Sequence, residues 1–371
     1  MSDPRVNKLA QVLVKYSLDL QPGQEFCLLT TPLAEELALA VYKEAVLAGA
    51  HIHVQMDVPG AREILYKHAS DAQLDYVPPV FRFVVERFGA FLQIGAPRNT
   101  RELSGIEPAR KSRTQKAEAE IFKILMERMA RHEIKWSLTA YPTQAAAQEA
   151  DMSLSDYQDF VYGAGLLDLP DPVAAWKKEG ERQRELIRWL ADKDKASLKG
   201  SNIDLELSIK GRAFAEASGH ENFPDGEIYT SPVESSVNGW VRFAYPAIYG
   251  GQEVVDIELW FKDGKVVKEK AAKGQELLTT LLDSDDGARY LGEWGIGTNY
   301  GIQRFTKNML FDEKIGGTIH LAVGHGFPET GSQNESGLHW DMLCDMAESE
   351  ITVDGELFYK NGKFENLPDL G

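Results

Sequence analysis

Cysteine is nearly absent: the chain of 371 residues has two, Cys27 and Cys344. Both sit in apolar, strand-like runs, and a pair so distant in sequence supplies no disulfide framework. Also missing is an apolar run of about eighteen residues, so no transmembrane helix is expected. The opening "MSDPRVNKLAQVLVKYS" has no basic region followed by an apolar core, and no signal peptide is expected. Excess positive charge is lacking as well. The net charge of −17 argues against nucleic acid as a partner. One basic cluster, Arg110, Lys111, Arg113 and Lys116, opens a long helical pattern and reads as a solvated helix face. No GxGxxG or GxxxxGK[ST] follows a strand pattern, so nucleotide binding has no support. These absences lead to an expectation of a cytoplasmic protein with neither a nucleic-acid nor a membrane partner.

What is present divides into two halves with different grammar. Residues 1–197 alternate helical and strand patterns. "VNKLAQVLVKYSLDL" has apolar residues at helical spacing, "EFCLLT" reads as a buried strand, and "LAEELALAVYKEAVLAGA" reads as a helix ending at glycine. "HIHVQM", "AFLQIGAP" and "IKWSLTAYPT" are further strands, with a long helix expected over 113–131. This rhythm predicts a parallel α/β domain. His51 and His53 have ligand-like spacing but no accompanying carboxylate cluster, and read as strand-face residues.

A charged helix in "DPVAAWKKEGERQRELIRWLADKDKASLKG" is expected to link the halves. Over 198–371 the pattern becomes mainly antiparallel sheet, as in "NIDLELSIKG" and "VVDIELWFKDGKVV", with a DG turn between strands. Helical patterning there is confined to "GQELLTTLLDS" and the neighbourhood of "DDGARYLGEW". The expected fold class is therefore α/β and α+β: an N-terminal parallel α/β domain, then a mainly antiparallel-sheet catalytic domain.

The second half concentrates candidate ligands. "NFPDGEIYTS" puts Glu227 after a Pro-Asp-Gly turn, and "YLGEWGIG" puts Glu293 among glycines, which allow close approach. "FDEKIGGTIHLAVGHGF" adds Glu313 and His320. "HWD" adds His339 and Asp341, which share one face if they lie on a strand. Taken alone, that last pair is also satisfied by a buried Asp–His hydrogen bond. Together the six residues form the donor set a binuclear site needs, with imidazoles favouring zinc or cobalt over magnesium.

The ordered series "PDGE", "YLGEWGIG", "FDEKIGGTIHLAVG" and "HWD" resembles the M29 metallo-aminopeptidases, the thermophilic aminopeptidase family, and the resemblance covers the whole chain. It implies that Glu227, Glu293, Glu313, His320, His339 and Asp341 hold two divalent ions (zinc, cobalt or manganese), with Glu293 bridging. Glu227 and Glu293 are its candidate catalytic carboxylates. It further implies a homodimer and hydrolysis of the N-terminal residue of small peptides by a metal-activated water. Two departures stand out. Glu313 and His320 lie two residues further apart than in many members, and the stretch between His320 and His339 is shorter. A third concerns chemistry: the family usually has tyrosine seven residues after the motif histidine, placed to steady the oxyanion. This chain has Phe327, which cannot donate that bond. His325 could replace it if the strand continues that far; in a loop it could not. Two alternatives remain: a mononuclear iron(II) ring-cleaving dioxygenase of the same fold, using His320, His339 and Asp341, and a non-catalytic metal or peptide binder.

Overall fold

The structure is a computed structural model and describes residues 3–365. It divides into two compact units, Met1–Val173 with Gly219–Pro224, and Ala174–Ser218 with Asp225–Gly371.

The first unit is the parallel α/β domain. Its sheet runs in the order His51–Met56, Glu25–Thr30, Ala90–Gly95, Lys135–Ala140 and Asn222–Phe223, with every pairing parallel. Helices Glu35–Leu47 and Pro108–Ala130 join successive strands, the second starting five residues earlier than expected because Pro108 suits a first helical turn. His51 and His53 lie on an exposed edge strand. The two-residue strand Asn222–Phe223 joins this sheet from a distant part of the chain; it is too short to have a readable period.

The second unit is antiparallel. An eight-stranded sheet includes Ile203–Ser208, Lys195–Gly200 and Ser349–Val353 as neighbours. A five-stranded sheet runs His339–Asp345, Thr318–Gly324, Leu291–Gly297, Glu227–Thr230, Ala215–Ala217. Residues from both sheets form one apolar core, with Leu198, Ile203 and Leu205 from the larger and Ile228, Trp294, Ile296, Ile319, Leu321, Trp340 and Met342 from the smaller. Those residues of the smaller sheet occupy alternate positions, so the intervening ones take its opposite face.

The structure differs from the sequence reading at three places. The expected boundary between 197 and 198 falls inside the strand Lys195–Gly200, which is paired on both edges within the second unit. The charged helix, Pro172–Leu190, lies almost wholly in that unit, because Leu186 and Leu190 enter its core. Helical spacing shows an apolar stripe but not which core receives it. "GQELLTTLLDS" forms the expected helix, Gln275–Leu282, whereas the start of "DDGARYLGEW" is a series of turns leading into a strand. There Asp285 accepts from the backbone of Gly287 and Gly337 and from Ser336 Oγ, holding the turns in place of a helix.

Candidate metal centre

The face of the five-stranded sheet turned away from the apolar core carries five of the six predicted residues. Glu227 opens its strand directly after Gly226, whose φ of +126° only glycine adopts readily. The turn is fastened by Asn299 Nδ2, 2.8 Å from the Asp225 carbonyl, and by Thr298 N, 2.8 Å from that of Gly226. Glu293 sits on Leu291–Gly297, His320 on Thr318–Gly324, and His339 and Asp341 on His339–Asp345. Gly295 lies opposite His320 in the register, and a Cβ there would be 2.0 Å from two atoms of the imidazole. Only glycine lets that ring lie across the strand.

His320 Nε2 is 3.2 Å from Glu227 Oε2 and 3.4 Å from Glu293 Oε1. His339 Nε2 is 3.2 Å from Glu293 Oε2 and 3.5 Å from Asp341 Oδ2. Each oxygen of Glu293 thus faces a different histidine. Ligand atoms of Glu227, Glu293 and His320 lie within 4.8 Å of one another, and so do those of Glu293, His339 and Asp341. Glu293 belongs to both groups. The His339 tautomer is set by its Nδ1, which donates to the His325 carbonyl at 2.9 Å and leaves Nε2 for the centre. His325 itself follows the end of its strand, in a loop.

Glu313 is placed differently. It belongs to neither group, and its Oε1 accepts from Lys314 Nζ. Lys314 is fully buried, and its ammonium also lies 3.3 Å from Glu227 and 3.8 Å from Asp225. The turn presenting both residues is pinned by Asp312 Oδ1, which accepts from Thr306 N at 2.7 Å and Thr306 Oγ at 2.8 Å. Sequence reasoning passed over Lys314 and Asp225. A lysine is almost never fully buried unless paired, and its pairing here is visible only once three separated carboxylates meet.

The electrostatics describe a site that calls for cations. Burial opposes charge on His320 and His339, yet the neighbouring carboxylates outweigh it and raise both pKa values, to about 10 and about 11. Glu293 is raised by burial, but its hydrogen bonds to the two imidazoles bring it well below the carboxylate range. Burial dominates at Glu227 and raises it, against the pull of Lys314. For Lys314 burial lowers, while Glu227, Glu313 and Asp225 more than compensate and hold it charged. Several polar atoms here are buried without a hydrogen bond among the described residues: Glu227 Oε2, His320 Nδ1 and Asp341 Oδ1. Such atoms are costly unless something else satisfies them. Mixed imidazole and carboxylate donors, with Glu227 Oε2 and Asp341 Oδ1 still available, fit a divalent metal.

Comparison with known proteins agrees with this chemistry. The profile of the family described as "Thermophilic metalloprotease (M29)" matches residues 2–364. The chain belongs to this family. Membership bears out the expected class, a hydrolase of the metallo-aminopeptidase kind, and implies divalent metal. Aminopeptidase 2 of Geobacillus stearothermophilus is 29% identical over 98% of this chain and 96% of its own length. Aminopeptidase T of Thermus thermophilus is 27% identical over 96% of this chain and 95% of its own. A solved structure, wild-type AmpT from Thermus thermophilus, superposes with a TM-score of 0.85 at 23% identity, covering 97% of this chain and 98% of that one, and bears out the fold. Among the described residues no helix is long and apolar enough to cross a membrane.

Proposed function

We propose that this M29 member is an aminopeptidase that removes the N-terminal residue of small peptides at a centre of two divalent cations, zinc, cobalt or manganese. The observation that carries the reading is Glu293, whose two oxygens face His320 and His339 separately. Glu227, Glu293 and His320 would hold one ion, with Glu313 completing the shell, and Glu293, His339 and Asp341 the other. Asp225 and Lys314 cancel in charge, leaving four carboxylates to balance two dications. When bound, such ions lower the pKa of water from 15.7 toward about 7 and polarise the scissile carbonyl.

The residues of the chain supply the remainder. A carboxylate oxygen of the centre accepts from the substrate's free α-ammonium, favouring removal of terminal residues over internal cleavage. Glu227 transfers a proton to the leaving amine, while Lys314 holds its Oε1 in place. The ring-opening alternative needs His320, His339 and Asp341 around one ion; the two histidines belong to different ligand groups, which weighs against it. Elemental analysis with an aminoacyl nitroanilide assay tests the proposal. Two ions per chain are expected, with activity abolished by chelator and restored by cobalt or zinc. One iron per chain, full activity in a verified metal-free preparation, or metal uptake without turnover would each remove it.

The same reading includes a cytoplasmic homodimer. Both cysteines are free and buried, as a reducing compartment favours. Val58, Ile64, Phe83 and Phe122 of the first unit are all more than half exposed, an apolar surface that a second copy would cover.

A further inference from the structure

The tetrahedral intermediate of peptide hydrolysis places negative charge on the former carbonyl oxygen, and a hydrogen-bond donor aimed at that charge lowers the barrier. Position 327 holds a phenylalanine. The Phe327 ring is packed between two others, His339 at 5.2 Å and Tyr229 at 5.1 Å between centroids. Phe327 N donates to Ser231 Oγ at 3.0 Å, and Thr330 Oγ donates to the Phe327 carbonyl at 2.8 Å, so the ring is held over the sheet.

Tyr229 lies two residues beyond Glu227 on the same strand, and so projects from the same face as the ligand carboxylate. In the register it lies opposite Gly295, which lies opposite His320. Tyr229 and His320 therefore flank a position with no side chain, in one row across the sheet. The half-buried phenol thus shares a face with Glu227, a row with His320 and a ring contact with Phe327. A phenol is protonated at neutral pH and donates through its O–H.

We propose that Tyr229 is a catalytic residue that hydrogen-bonds the oxyanion, supplying the hydroxyl absent at position 327. This rests on the aminopeptidase reading. As water oxygen bonds to the carbonyl carbon, a water O–H bond breaks and its proton passes to Glu227, the C=O π pair moves onto oxygen, and Tyr229 donates a hydrogen bond to that alkoxide without losing its own proton. As the intermediate collapses, the C=O bond re-forms, the C–N bond breaks, and the departing nitrogen takes a proton from Glu227.

The test compares wild type, Tyr229→Phe, Phe327→Tyr and the double variant, each loaded with cobalt. Tyr229→Phe should lower kcat on aminoacyl nitroanilides by roughly 10²–10³ with KM nearly unchanged. Affinity for a phosphinic dipeptide, which mimics the tetrahedral centre, should fall by a similar factor. Affinity for the free amino-acid product and metal content should not move. Phe327→Tyr alone should add little, and in the Tyr229→Phe background it should recover part of the loss. Wild-type cleavage with undiminished kcat in Tyr229→Phe overturns this assignment alone. So does a kcat loss that merely follows lost metal. A wild type that cleaves nothing overturns the aminopeptidase reading, and this assignment with it.

Discussion

Lys314 Nζ lies 3.3 Å from Glu227 Oε1 with neither side chain open to solvent beyond a few per cent. Loss of the lysine leaves Glu227, Glu313 and Asp225 without their common cation. Breaking a buried pair at one end typically costs about 3–5 kcal/mol. Lys314→Met should therefore lower the Tm of the metal-free protein markedly, and added zinc should recover part of the difference. Calorimetry with and without metal checks this; an unchanged Tm would mean that the fold does not depend on the lysine's pairing with these carboxylates.

His339→Ala tests whether the His339–Asp341 pair is more than a hydrogen bond. Metal content should drop below that of the wild type while circular dichroism is preserved. If the pair only stabilises the strand, the Tm will fall and metal content will stay the same.

Gly295→Ala places a methyl 2.0 Å from the His320 ring. Overpacking of this kind costs typically about 1–3 kcal/mol, and the ring must leave its place over the strand. Reduced metal affinity together with a lower Tm is expected, measured by competition with a chromophoric chelator. Wild-type affinity in this variant would show that His320 does not need that position.

The metal-free protein should lose stability with rising pH. His320 and His339 have folded pKa values raised to about 10 and about 11, above the ordinary 6.5. Their contribution is complete below 6.5 and is lost as pH rises through those values. Tm in the presence of chelator should thus decline from near pH 6.5 upward. Because the imidazoles must lose their protons to bind metal, metal uptake at neutral pH should release protons. Titration calorimetry in buffers of different ionisation enthalpy measures that release, and fewer protons per bound ion are expected in His339→Ala.

Short apolar runs and period-two alternation made much of the fold legible. "EFCLLT" and "HIHVQM" are strands over the expected residues, Glu25–Thr30 and His51–Met56. Five ligand candidates were legible because each sits in a motif with its own glycine or strand context. Lys314 was not, since nothing local distinguishes a lysine that will meet three carboxylates from one facing water. Tyr229 was equally silent: its neighbourhood depends on the cross-strand register with Gly295 and on the loop bringing Phe327 over the sheet. The turns around Asp285 kept their secret because side-chain acceptors, rather than periodicity, shaped that backbone.

The alternation along Leu291–Gly297 and Thr318–Gly324 has one more consequence. Trp294, Ile296, Ile319 and Leu321 bury themselves on one side, and Glu293 and His320 stand on the other. A slip of one residue would turn indole and aliphatic groups onto the ligand face and drive carboxylate and imidazole into the core. The strand register that buries the core therefore also sets the candidate ligands side by side, so one alignment serves both stability and the site.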